Sequence, residues 1–326
     1  MWAAGRRAHT LPAMSLLVTG TIGIDTIITP TGRAEGVLGG SCTYFAAAAS
    51  YFGPVRVVAA VGDDFPAEMR GVLGGFKGID LTGLNVRNGS KTFRWGGKYH
   101  QNMNSRETLF TELGVLLEAP PEVPAGFADS KFVFLANMHP GVQATMLAKA
   151  KNRVLSVADT MDLWINTARD HLLVLLRQVD GLVLNYDEAE LLTGKTNSVT
   201  AGRHILEMGP RFVVIKKGEH GAILVHRDGM AALPAFPTED VVDPTGCGDT
   251  FAGGMMGALA NQAGWHRTGQ GNIGDPGSYE AVRRALVHGT VVASYNIEAF
   301  SLERLKSITA AELQSRYQKY IAMASV

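Results

Sequence analysis

The chain has 326 residues, 46% hydrophobic and 18% charged, with 30 basic residues balanced by 30 acidic ones. This is enough apolar material for one large α/β domain or two modest ones, and it excludes wholesale disorder. A formal net charge of zero gives no electrostatic reason to expect nucleic acid or an anionic membrane as partner, and no stretch approaches the roughly 18 consecutive apolar residues of a membrane span.

Residues 1–14 carry Arg6 and Arg7 without an apolar run behind them, unlike a secretory signal, and are expected to form a flexible extension. From there, short β-branched apolar runs at 16–20, 55–61, 132–136, 154–158, 182–184 and 212–215 read as strands. Helical patterns lie between and after them at 43–52, 141–151, 163–178, 188–192, 249–262 and 279–295. This alternation predicts an α/β fold over residues 15–326, with a doubly wound, mostly parallel sheet buried on both faces. Two polar segments, 31–38 and 90–113, break the rhythm. The second carries Phe93, Trp95, Tyr99 and Phe110 and is expected to project as exposed strands, a small β lid of the kind that excludes water during transfer chemistry. A plain surface hairpin is the alternative, and the aromatic residues could equally clasp a second copy in a homodimer. Residues 263–278 are Gly-rich and read as a loop. Cys42 and Cys247, far apart and outside any cysteine framework, point to reduced thiols in a cytoplasmic protein.

The most informative stretch is Asp243-Pro244-Thr245-Gly246-Cys247-Gly248-Asp249-Thr250-Phe251. Gly246 and Gly248 permit backbone conformations that other residues resist, and a helical pattern starts immediately behind them. Amides at such a helix start favour anions, so Gly246, Cys247 and Gly248 can stabilise charge on a transferring phosphoryl group. Asp249 at the same end can accept the proton of an attacking hydroxyl. An Asp-capped helix after a Gly-rich turn is the structural alternative. A thiol at a helix start tends to have a lowered pKa, which would make Cys247 reactive, and a buried inert cysteine is the equal alternative.

This segment resembles the C-terminal signature of the ribokinase-like family, the PfkB carbohydrate kinases, whose members include adenosine kinase-like enzymes. The likeness runs in consistent order from about residue 15 onward. Gly20-Thr21-Ile22-Gly23-Ile24-Asp25 resembles the first family strand, whose Asp holds substrate hydroxyls, and Gly39-Gly40 resembles the paired glycines that close around the substrate. Asn185-Tyr186-Asp187-Glu188 resembles the NxxE region, which implies Asn185 at the nucleotide and Glu188 holding Mg²⁺ through water. Lys216-Lys217-Gly218-Glu219-His220-Gly221 resembles the strand-end loop of the ATP site. The resemblance therefore implies a three-layer sandwich that binds ATP with Lys216, Gly218, Gly221, Thr245 and Asn296. It also implies K⁺ or another monovalent cation near Asp243. Tyr44 stands where the family usually has Asn, so a plain ribokinase or fructokinase specificity is not expected. Tyr44, Phe93 and Trp95 are the candidate acceptor contacts beside Asp25.

The expected function is ATP-dependent phosphorylation of an alcohol group on a sugar or sugar-like molecule, with a nucleoside as the alternative acceptor. A nicotinamide dehydrogenase would need a Gly-x-Gly-x-x-Gly turn after its first strand, and Gly20 and Gly23 lack that spacing. A non-catalytic ligand sensor on the same fold has no need of a base such as Asp249.

Overall fold

A computed structural model describes residues 15–261 and 274–325. The expected extension at 1–14, the last residue of the helical pattern ending at 262, and most of the Gly-rich loop lie outside the described residues.

The continuous apolar runs become strands buried on both faces: β1 (Leu16–Thr19), β4 (Val55–Gly62), β8 (Phe132–Leu135), β9 (Leu155–Asp159), β10 (Gly181–Asn185) and β11 (Phe212–Lys216). With β5 (Ile79–Arg87), β12 (Ala222–His226) and β13 (Gly229–Leu233) they form a nine-stranded sheet ordered β13-β12-β11-β10-β9-β8-β1-β4-β5. The ladder is parallel from β5 to β11, and only the β11–β12 and β12–β13 pairings in this sheet are antiparallel. A second sheet, ordered β3-β2-β6-β7, is built from β2 (Gly23–Thr29), β3 (Gly32–Gly39), β6 (Phe93–Tyr99) and β7 (Arg106–Glu112). The two polar segments of the sequence thus belong to one separate small sheet.

Helices cover the large sheet on both faces. One face packs against α1 (Ser41–Ala49), α2 (Ala67–Gly74), α8 (Cys247–Ala260), α9 (Tyr279–Asn296) and α10 (Ala310–Ala324). The other carries α3 (Pro140–Lys149), α4 (Asp162–Thr167), α5 (Arg169–Leu176), α6 (Tyr186–Thr193) and α7 (Ser198–Glu207). Every residue of α1 is buried, which suits an Ala-rich helix apolar on all sides. Its partner α8 approaches closely because a side chain at Gly253 would strike the Phe45 carbonyl. The single helix expected at 163–178 is two: α4 ends and α5 begins at Ala168, whose φ of −136° leaves the helical region.

Strand order reverses at β1, with β4 on one side and β8 on the other. In open α/β sheets the crevice at the carboxyl ends beside such a reversal is where ligands bind. The second sheet stands over this edge because β2 follows β1 after only three residues.

Candidate active site

The crevice opens into one cavity of about 1650 Å³, larger than the 300–1000 Å³ typical of a single-ligand pocket and so roomy enough for two substrates. Its inner wall is tied together where β1 ends. Ser41 donates its backbone N–H to Thr21 Oγ1 (3.0 Å), Thr21 returns its own N–H to Ser41 Oγ (3.1 Å), and Ser41 Oγ donates to the Asn137 carbonyl (3.4 Å). The strand ends and the start of α1 are thereby held in fixed relation.

On the lid side, Asp25 sits at an irregularity in the β2–β3 ladder, where the pairing register shifts between Asp25 and Thr26. Its carboxylate occupies the space a side chain at Gly39 would need and accepts the Gly40 N–H. Gly40, at φ +94°, adopts a backbone conformation that L side chains rarely enter. Asp25 Oδ1 is buried without a hydrogen-bond partner among the described residues. Burial, and secondarily Asp243, push this carboxyl up to about 7. Phe93 and Trp95 lie alongside on β6, where Trp95 pairs in register with Asp25 and its ring carries the Arg106 guanidinium at 5.5 Å.

At the other side α8 begins. Gly246 is its N-cap at φ +73°, where a side chain would strike the Tyr44 ring, and no side chain caps the first turn. The Cys247 N–H turns back to the Pro244 carbonyl (3.2 Å), so the capacity of that turn for an anion lies in its other amides. The loop before the helix is braced from three directions. Asp243 Oδ1 accepts the Thr245 N–H (2.8 Å), and Asn296 Nδ2 donates to the Thr245 carbonyl (2.8 Å) and to Cys247 Sγ (3.4 Å). From the lid, Tyr99 joins its hydroxyl to Thr245 Oγ1 at 3.2 Å.

Asp249 lies in this first turn among buried charges. Burial first, then Asp159, raise its carboxyl to about 8, with Lys216 opposing and Glu188 and Asp25 adding to the rise. Lys216 Nζ comes within 2.7 Å of the point where a Gly248 side chain would begin, so the glycine leaves room for the ammonium. Burial disfavours the charge of Lys216, but Asp159, Glu188 and Asp249 outweigh it and hold the ammonium above the ordinary lysine value.

Asn185 and Glu188 form a reciprocal capping box at the start of α6. Asn185 Oδ1 accepts the Glu188 N–H (2.8 Å) and Glu188 Oε2 accepts the Asn185 N–H (2.7 Å). Burial, then Asp159, raise Glu188 to about 7. The loop from Gly218 to Gly221 turns tightly, with Lys217 N–H donating to the Gly221 carbonyl (2.7 Å).

Of the residues singled out from sequence, Asp25, Gly40, Tyr44, Phe93, Trp95, Asn185, Glu188, Lys216, Gly218, Gly221, Thr245, Gly246, Cys247, Gly248 and Asp249 line the cavity. Gly39, Asp243 and Asn296 lie behind its wall, where they support Asp25 and the loop before α8. Of the two readings of Cys247 the inert thiol is favoured: burial pushes it up to about 12, with the Asn296 amide opposing. Tyr44 is buried with its hydroxyl unpartnered among the described residues, so it shapes the site chiefly through its ring. The sequence reading missed Asp159 and the shelf formed by Asn137, His139, Met161 and Trp164, where Trp164 Nε1 donates to Asn137 Oδ1 (2.9 Å). An acid closing an apolar strand run was the one available signal for Asp159.

Residues 31–271 match the model of the pfkB family carbohydrate kinases. A cytidine kinase of Thermococcus kodakarensis is 32% identical over 251 residues, which is 74% of this chain and 87% of that protein. Among solved structures, a nucleoside kinase of Methanocaldococcus jannaschii aligns with a TM-score of 0.71 at 19% identity, covering 94% of this chain and 98% of that one. An Arabidopsis thaliana ribokinase complexed with ribose and ATP aligns with a TM-score of 0.73 at 18% identity, covering 94% and 99%. These similarities show a ribokinase-like fold.

Proposed function

The chain belongs to the PfkB carbohydrate kinase family and is an ATP-dependent phosphotransferase acting on an alcohol group, and on that premise we propose the roles of its residues. The carrying observation is the first turn of α8, where an uncapped helix start, the half-buried Asp249 carboxyl and the Lys216 ammonium converge on the cavity. An acceptor hydroxyl gives its proton to Asp249 as its oxygen forms a bond to the terminal phosphorus of ATP. The bond from that phosphorus to the bridging oxygen breaks, leaving ADP and a phosphate ester. Backbone amides in the turn of Gly246, Cys247 and Gly248, together with the Lys216 ammonium, receive the transferring charge, so catalysis here is mainly positioning and electrostatics.

Asp25 and the Gly39-Gly40 turn hold other hydroxyls of the acceptor, under a lid made from 31–38 and 90–113 on a kinase domain spanning 15–326. Phe93 and Trp95 form its aromatic side and Tyr44 its floor. The nucleotide lies along Asn185, Lys216, Gly218, Gly221 and Thr245, with Asn296 supporting Thr245 from behind. Burial and the neighbouring Asp159 lift Glu188 to about 7 and Asp249 to about 8, a penalty on their ionised forms that a divalent cation beside them would relieve. Glu188 would hold Mg²⁺ through water, and the ion when bound would neutralise phosphate charge. Asp243, whose Oδ2 is buried and unpartnered among the described residues, is the group we assign to a monovalent cation such as K⁺. No described helix is long and apolar enough to cross a membrane, and we place the enzyme in the cytoplasm. The outer lid strand β7, exposed along its length, is the edge on which a homodimer could pair.

The acceptor is a sugar or sugar-like polyol. A nucleoside is the second reading, favoured by the apolar and aromatic shelf around Trp164 and by the similarity to a cytidine kinase. ADP release from MgATP across hexoses, pentoses, polyols and nucleosides tests both. A hit confined to nucleosides selects the second reading, and silence across the panel with nucleotide binding intact contradicts the assignment.

A further inference from the structure

Lys216 is a cation carried into a largely enclosed place, and its side chain retains only 17% of its exposure. A four-carbon stem fixes nothing about where the ammonium points, so the placement must come from its neighbours. Asp159 supplies the one ion pair that Lys216 makes among the described residues, Oδ2 to Nζ at 3.7 Å. Asp159 is itself held from both ends. Its Oδ1 accepts the Thr160 N–H (2.8 Å), and its carbonyl accepts from Gln143 Nε2 (2.9 Å), which also reaches the carbonyls of Leu135 (2.9 Å) and Ala136 (3.1 Å). Gln143 is wholly buried, so it works as a rivet between the ends of β8 and β9. Across the ladder, Asp159 ends β9 and Lys216 ends β11, with Asn185 of β10 in register beside Lys216. The remaining charged groups that act on Lys216 are Glu188 from α6 and Asp249 from α8.

We infer that Asp159 is a positioning residue of the phosphoryl-transfer site, holding the Lys216 ammonium in the space left by Gly248 so that it meets the terminal phosphate of the nucleotide. This rests on the proposal above that the first turn of α8 receives that phosphate. Without Asp159 the lysine is free to swing toward Glu188 or Asp249, and its charge no longer marks the phosphate position. The role is separable from metal binding, since a metal ligand would act through Mg²⁺ and not through Lys216.

The test is calorimetric and needs no acceptor. Binding of a non-hydrolysable ATP analogue, AMPPNP, is compared with binding of ADP, both at 1 mM free Mg²⁺, in the full chain and its variants. The wild type is expected to prefer AMPPNP by about tenfold, a difference near 1.4 kcal/mol. Asp159→Asn and Lys216→Met should each erase most of that preference, and the double variant should lose no more than either alone. Asp159→Glu should restore part of it. Asn is isosteric with Asp and keeps an acceptor for Thr160, so thermal melting should show a folded protein. Losses that multiply in the double variant overturn the inference. So does an Asp159→Asn defect repaired by 20 mM Mg²⁺, which would make Asp159 a metal ligand. A wild type that binds the two nucleotides equally removes the phosphate-site premise and the inference with it.

Discussion

The carboxyl of Asp249, the proposed base, would tie rate to stability. In the unfolded chain it ionises near its ordinary 3.8, whereas in the folded protein burial and neighbouring acids raise it to about 8. The folded state therefore holds a proton that the unfolded state has lost, so this group's contribution to stability falls as pH rises from about 4 to 8. Asp249→Asn should accordingly raise the melting temperature by a few degrees at pH 8, with little effect at pH 4. Equal melting of variant and wild type at pH 8 would contradict this. The same shift predicts that kcat/KM for the acceptor climbs about tenfold per pH unit below about 8 and levels above about 9, because the base must be ionised in the free enzyme. At Cys247 the prediction is resistance: with its thiol near 12, iodoacetamide at pH 8 should leave activity within about twofold of the untreated enzyme. The residue types around Asp249 were legible because a base and a glycine pair at a helix start announce themselves within seven positions. Asp159 and Trp164 were not, since each lies far along the chain from the group it serves and only strand register brings it close.

Among the elements, α8 and α9 carry the site, and Asn296 at the end of α9 links them through Thr245 and Cys247. Asn296→Ala should lower kcat about tenfold while moving both KM values less than threefold, because it loosens the amides that receive charge without touching either substrate. A large rise in KM for ATP alone would instead make Asn296 a direct nucleotide contact. Most main-sheet strands and the principal helices were readable from continuous apolar runs and helical spacing. The break at Ala168 was hidden because 163–178 keeps its helical period across it. The antiparallel pair β12 and β13 was missed because its alternation is weak and β13 is half exposed. The capping box of Asn185 and Glu188 shows that a structural role and a place on the cavity wall coexist in the same two side chains.

Over the whole molecule, two sheets meet above one cavity, and the lid reaches both halves of it. Tyr99 contacts Thr245 at the loop before α8, and Asn104, between β6 and β7, donates through Nδ2 to Glu219 Oε1 (3.1 Å) in the loop after β11. In the proposed arrangement the acceptor lies under the small sheet and the nucleotide beside Glu219, so a change at Glu219 should be felt by the acceptor. Glu219→Ala is expected to raise KM for the acceptor about threefold, and Asn104→Ala in that background should add nothing; an unchanged acceptor KM would deny the link. Asp249 is proposed to take the proton in phosphoryl transfer. The most direct measurement is rapid-quench transfer of the terminal phosphate of MgATP to the best acceptor by Asp249→Asn, alongside AMPPNP affinity. Transfer is expected to slow by at least about 10³-fold with nucleotide affinity unchanged or tighter, and transfer within tenfold of wild type would mean that another group takes the proton.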